Sequence, residues 1–286
     1  MLRSFNLFQL SVVLAVILGS VLSVCSQSKK PTSDDIIREL SSRFKRYKTY
    51  QVKGTYALIK NINLFKGKSW EQALTADRLE TVDKLAFTLY FERPNRLRFD
   101  WLPLDSQARR PLSVWSNGKR NFEWRSSLDE PSGYILNDLS TLEYAIDENG
   151  SSGMGSLLLD QLKPGKLSVL FSEITHPKIV RKETVDGHVC YLIFGSLRRD
   201  PWALWIDASS FILRRLRMQI AIGSFDKAVE TGVRHLTLAE VGFKDVQVND
   251  HIPTQICNYR PKLLPGDIDL TKMRTKERLV LPPVPR

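Results

Sequence analysis

Apolar positions along this chain repeat with two periods, and the two periods occupy different stretches. Ile36, Ile37, Leu40, Phe44 and Tyr47 fall at helical spacing, so residues 33–47 are expected to form an amphipathic helix. Thr32 or Ser33 is placed to cap it, and Asp34 and Asp35 stand where the helix dipole favours negative charge. Beyond it the period drops to two. Leu85, Phe87, Leu89 and Phe91 alternate against Thr88 and Glu92, and Leu97, Phe99 and Trp101 alternate against Arg96, Arg98 and Asp100. Pro94-Asn95 separates these runs as a turn. Residues 111–116 and 119–125 flank Asn117-Gly118, the strongest short hairpin signal, because both residues tolerate positive φ.

The middle of the chain changes character. Residues 136–147 and 154–174 carry Leu139, Leu142, Ile146, Leu157, Leu158 and Leu162 between Gly150, Gly153, Gly155, Pro164 and Gly165. They read as two or three short amphipathic helices with flexible joints. Strands then resume at 178–184, 188–196, 202–206, 211–221, 232–248 and 253–259, with turns at Asp186-Gly187 and at 207–210. Antiparallel strands with helices inserted between two strand groups imply a strongly curved sheet or incomplete barrel, mainly β with some α. Residues 188–194 and 202–206 are apolar on both alternating faces. A covering layer on one side and an enclosed cavity on the other demand that pattern, and burial in a filled core explains it equally well.

Residues 1–26 stand apart. Arg3 precedes an apolar run at 10–24 that is short, Ser-rich and ends in small residues, the pattern of a secretory signal cleaved after Ser23 or Ser26. Cys25 opens a second route, a lipoprotein signal with Leu22-Ser23-Val24-Cys25 as lipobox, although Val24 is bulkier than such a site prefers. Either way the chain is expected to be exported to the periplasm or cell envelope, anchored there if Cys25 is acylated. No internal repeat divides the remainder, so one domain is expected over residues 30–262, followed by a Pro-rich, charged tail at 263–286.

The 286 residues and their 42% hydrophobic content allow a sizeable core and exclude disorder. Lys and Arg number 42 against 31 Asp and Glu, a formal charge of +11 that favours an anionic partner. Three cysteines cannot build a disulfide framework or a four-cysteine zinc site. Cys190 and Cys257 both fall on late expected strands, where a disulfide and a pair of buried thiols are the alternatives.

Residues 90–101, Tyr-Phe-Glu-Arg-Pro-Asn-Arg-Leu-Arg-Phe-Asp-Trp, resemble a segment of the LolA family, the periplasmic carriers of outer-membrane lipoproteins. Val114-Trp115-Ser116-Asn117-Gly118-Lys119 is similar to that family's Asn/Asp-Gly-Lys hairpin. Leu204-Trp205-Ile206-Asp207, with Leu213-Arg214-Arg215-Leu216 after it, is similar to another of its paired motifs, and Val246-Gln247-Val248-Asn249 with Ile252-Pro253 to its closing strands. The shared order over most of residues 34–260 identifies the chain as LolA-like. The resemblance implies an unclosed antiparallel barrel around the N-terminal helix, with a lid of short helices over an apolar cavity that holds acyl chains. It implies that Arg93 latches the lid. The longer middle and the C-terminal extension depart from the family pattern.

Combined with strand alternation, this places Phe87, Leu89, Phe91, Phe99 and Trp101 in the cavity wall, with Leu139, Leu142, Leu158 and Leu162 above them from the lid. The same residues would also serve as a dry core. Nucleophile elbow, zinc-protease, phosphate-loop and Cys-x-x-Cys motifs are all missing, and His176, His188, His235 and His251 lie at no ligand spacing. The expectation is a non-enzyme without metal or cofactor. Trp115 and Trp124 among Arg96, Arg98, Arg120 and Arg125 superficially resemble a nucleic-acid platform. An exported protein seldom meets nucleic acid, and strand aromatics are usually core, so none is expected. Two functions follow. One is a monomeric carrier or chaperone for lipid or lipoprotein acyl chains, exchanging with membrane-anchored envelope proteins. The other is an envelope sensor or interaction module on the same fold, binding a protein or anionic polymer through its basic face.

Overall fold

The computed structural model describes residues 30–60, 69–76, 79, 81–104, 110–126, 133–141, 171–197, 200–220 and 237–271. Helix α1 spans Ser33–Arg46 and β1 Thr49–Lys60; a short helix, α2, covers Trp70–Leu74. A meander follows: β2 Val82–Glu92, β3 Arg96–Pro103, β4 Leu112–Asn117, β5 Asn121–Ser126 and β6 Tyr134–Leu139. A single 3₁₀ turn at Phe171–Glu173 leads into a second meander of β7 Ile174–Val185, β8 His188–Leu197, β9 Asp200–Asp207, β10 Leu213–Ile220 and β11 Thr237–Val248. Helix α3, Thr254–Cys257, and β12, Ile268–Asp269, complete the described chain.

All twelve strands form one sheet in the order β12-β6-β5-β4-β3-β2-β1-β11-β10-β9-β8-β7. Strand β1 joins the two meanders, pairing antiparallel with β2 on one side and β11 on the other. The ends of the order, β12 and β7, leave the sheet open, as an incomplete barrel requires. Among the described strands only β12 runs parallel to its neighbour, matching Ile268 to Ile135.

Local chemistry accounts for most elements. In α1 the buried stripe is Ile36, Ile37, Leu40 and Phe44, with acids in the first turn and Arg43, Lys45 and Arg46 in the last, complementing the helix dipole at both ends. The β7–β8 hairpin turns at Asp186 and Gly187, both at positive φ, as a tight two-residue turn demands. At the β4–β5 turn only Gly118 takes positive φ; Asn117 instead uses its side-chain oxygen to accept from the backbone N–H groups of Lys119 and Arg120.

The main core lies between α1 and one face of the sheet, called here the concave face. The opposite face carries two smaller layers. Under α2, Trp205, Leu192, Cys190 and Val185 pack with Ile59 and Leu74. There Arg217 donates to the carbonyls of Leu74 and Ala76, and Arg181 to that of Thr75, so two sheet arginines satisfy the C-terminal carbonyls of α2. At the other end Trp115, Trp124 and Tyr134 pack with Tyr259, and Asp267 grips Arg110 through two bonds of 2.9 and 3.1 Å. Within the stretch expected as tail, Asp267 holds Arg110, β12 pairs with β6 and Leu270 N–H donates to Leu136 O.

Three expectations are corrected. Residues 136–139, expected to start a helix, belong to strand β6, so Leu139 reaches the core from the sheet and not from a lid. Residues 254–257 are helical rather than extended. Cys190 and Cys257 are free thiols, both buried, and form no disulfide.

Candidate functional site

The concave face is built by alternation. Phe87, Leu89 and Phe91 from β2, and Leu97, Phe99 and Trp101 from β3, are all buried in the main core. They form a continuous aromatic floor: Phe87 and Phe99 have ring centroids 5.9 Å apart, Phe99 and Trp101 5.2 Å, and Phe87 and Phe243 of β11 6.2 Å. The floor depends on Gly54 at the centre of β1, paired with Phe87 on one side and Phe243 on the other. A Cβ there would lie 2.2 Å from Phe87 Cζ, so the missing side chain is what lets the ring rest on the sheet. The predicted strand residues therefore come together on one face. Leu142, Leu158 and Leu162 lie outside the described residues, as does Cys25.

Helix α1 is fastened to the half of the sheet made by the second meander. Ser33 Oγ donates to Pro177 O (2.6 Å) and Arg43 Nη1 to Ser210 O (2.6 Å), with the Arg43 guanidinium over Phe211. Phe44 packs against Phe171, which follows directly after residues 142–170. Arg93 binds the other end of the helix: its Nε donates to Tyr47 O (2.8 Å) and its Nη2 to Phe44 O (3.2 Å). Its described bonds thus cap the C-terminal end of α1, where the resemblance led to an expected bond with the lid. Burial lowers its pKa from the usual guanidinium value.

The hydroxyl of Tyr50 and the Oγ of Ser41 on α1 are buried without a hydrogen-bond partner. Burial, reinforced by neighbouring Tyr47, raises the pKa of Tyr50, so it stays neutral. Farther along the face, Asn137 Nδ2 donates to Glu123 Oε1 (2.8 Å) in a buried pair that sequence reasoning passed over. The signal was present: period two in β5 and β6 puts Glu123 and Asn137 on the face of Leu139.

One cluster looks catalytic and is not built to be. Asp207 Oδ2 is 3.0 Å from His188 Nδ1 and 3.1 Å from Arg214 Nη2, and Cys190 pairs with Asp207 across β8 and β9. Cys190 Sγ, however, donates to the backbone carbonyl of His188 and not to its ring. Burial, with Asp207 nearby, pushes the thiol up to about 11, opposite to what a nucleophilic cysteine needs. Burial also pushes Asp207 upward, but bonds from Ser209, Ser210 and Arg214 outweigh it and hold the carboxyl far below the usual range. Asp207 is a turn-stabilising anion.

The arginines of the apparent nucleic-acid platform are occupied as well. Arg96 pairs with Glu92, Arg98 with Asp100, Arg120 with Asp138 and Arg125 with Glu123. Trp115 and Trp124 are buried among Phe122, Tyr134 and Tyr259 and offer no stacking platform.

No protein-family model and no curated protein matches the sequence. Among solved structures, the chain is similar to the lipoprotein LppX of Mycobacterium tuberculosis, at 11% identity and a TM-score of 0.41 over 79% of this chain and 100% of that one. It is also similar to LprF from Mycobacterium bovis, at 10% identity and a TM-score of 0.39 over 77% and 95% of the two chains. A LolA superfamily protein from Nitrosomonas europaea matches at 12% identity and a TM-score of 0.30 over 79% and 97%.

Proposed function

We propose that this protein is an exported, non-catalytic carrier that shelters the acyl chains of a lipid or lipoprotein on the concave face of its open sheet. The observation that carries this reading is the apolar floor of Leu89, Phe87, Phe99, Trp101 and Phe243 in an unclosed sheet whose helix is tied to the opposite meander. Each methylene withdrawn from water contributes about 0.8 kcal/mol, so ten of them offer about 8 kcal/mol before ordering costs. Residues 142–170, with Leu142, Leu158 and Leu162, are the proposed cover. Residues 1–26 are the proposed export signal, with Cys25 as the acylation site if the chain is retained at a membrane.

Native mass spectrometry of the protein purified from its own envelope tests the reading. A bound species of lipid mass, released by detergent, is expected, together with displacement of a hydrophobic dye by long-chain fatty acid. A chain of bare protein mass that binds no dye after delipidation overturns it and leaves the interaction module.

A further inference from the structure

One row of side chains crosses the concave face in unbroken register: Val52, Leu89, Phe99, Val114, Glu123 and Asn137, each the cross-strand partner of the next. All six are between 0% and 7% exposed. Four are apolar and the last two are polar. The row covers five strand spacings, about 24 Å, so the face changes from oil to hydrogen-bonding chemistry within the length of one long acyl chain.

The polar end is incompletely satisfied. Asn137 is 5% exposed and gives its amide N–H to Glu123, but its Oδ1 accepts nothing. The orientation is set by chemistry, since a carboxylate can only accept and the NH₂ must face it. An unmade buried acceptor costs stability, and a second leucine or valine at this register would have extended the floor without that cost. Arg125 Nε lies 3.7 Å from Glu123 Oε1 and offsets its charge, so the site does not call for a cationic group. The open acceptor, Asn137 Oδ1, belongs to a neutral amide beside a carboxylate whose charge is offset, and it suits a neutral hydroxyl donor.

We infer that Asn137, oriented by Glu123, forms a headgroup subsite whose Oδ1 accepts a hydrogen bond from a hydroxyl of a neutral polyol-bearing lipid, whose acyl chain lies over Val114, Phe99, Leu89 and Val52. The inference rests on the carrier reading and adds the polarity and direction of the cargo: hydroxyl end at β5–β6, tail toward β1.

The test compares a monoacylglycerol with the methyl ester of the same fatty acid, a pair that differs in hydroxyl donors and not in chain. Dye displacement on the delipidated full chain should show the monoacylglycerol binding about tenfold tighter, the value of one hydrogen bond of ordinary strength. Asn137→Leu should bring that ratio to about one while methyl ester binding is kept. Free glycerol at millimolar concentration should leave monoacylglycerol binding unchanged; competition by glycerol would assign the site to a small polyol and overturn the lipid assignment. Equal affinity of both lipids for the wild type overturns the subsite and leaves the carrier standing, whereas failure of both to bind overturns the carrier and the subsite with it. If Asn137→Leu does not fold, the wild-type ratio still decides.

Discussion

The ring of Phe87 rests on the backbone of Gly54. A Cβ at Gly54 would meet Phe87 Cζ at 2.2 Å and the Gly242 carbonyl oxygen at 2.4 Å, so the position is closed on two sides by atoms of different mobility. The side chain can move, but the carbonyl belongs to the β1–β11 ladder and cannot. Gly54→Ala should therefore destabilise by at least the about 1–3 kcal/mol typical of overpacking. Adding Phe87→Ala should not restore the loss, because the carbonyl contact remains. Urea midpoints of the single and double variants measure both.

Arg93 makes two charged hydrogen bonds to carbonyls at the end of α1. Arg93→Leu should lower stability by about 1.5–3 kcal/mol, the usual worth of bonds to a charged donor. Hydrogen exchange should accelerate first at the C-terminal turn of α1. Unchanged protection there would show that the cap contributes nothing.

Asp207 gives the protein an acid-sensitive element. Its folded carboxyl lies below the unfolded value near 3.9. The stability it supplies is complete above that value and is lost as pH falls toward the folded one. Asp207→Asn should thus cost most above about pH 5, with the gap from wild type narrowing below about pH 4. Melting temperatures from pH 3 to 7 would show the convergence; a constant gap would contradict it.

The thiols of Cys190 and Cys257 are free and buried, and burial raises both. At neutral pH a thiol reagent should label neither in the native protein and both in denaturant. Migration on a gel should not depend on reductant. Rapid native labelling of Cys190 would mean that its site is open.

A mature N-terminus downstream of residue 23 is expected, by either cleavage route. Mass analysis of the exported protein distinguishes them, an acyl mass on Cys25 marking the lipoprotein form. A chain in the cytoplasm beginning at Met1 would refute export.

Much of the secondary structure was legible because it is set by neighbours in the chain. The 3.6 period of Ile36, Leu40 and Phe44 specified α1, and alternation from Leu85 to Trp101 specified β2 and β3 with the turn between them. Asp186-Gly187 specified a hairpin by backbone conformation alone. The aromatic side of the candidate site came with these patterns, since alternation states which residues share a face. Where signals were short they misled. Residues 136–139 suit a helix as well as a strand over so few positions, and 254–257 after Pro253 suit either period.

The sequence by itself determined that this chain makes antiparallel hairpins around one amphipathic helix, because period and turn chemistry act within a few residues. Only the tertiary structure decided what those faces meet. Arg93 caps α1 because β2 ends beside Tyr47, a contact between residues 46 positions apart. Cys190 and Cys257 stay separate because one lies on β8 beneath α2 and the other on α3. Glu123 and Asn137 close the apolar row because six strands align in one register, and register is set by the summed packing of the whole sheet rather than by any single strand.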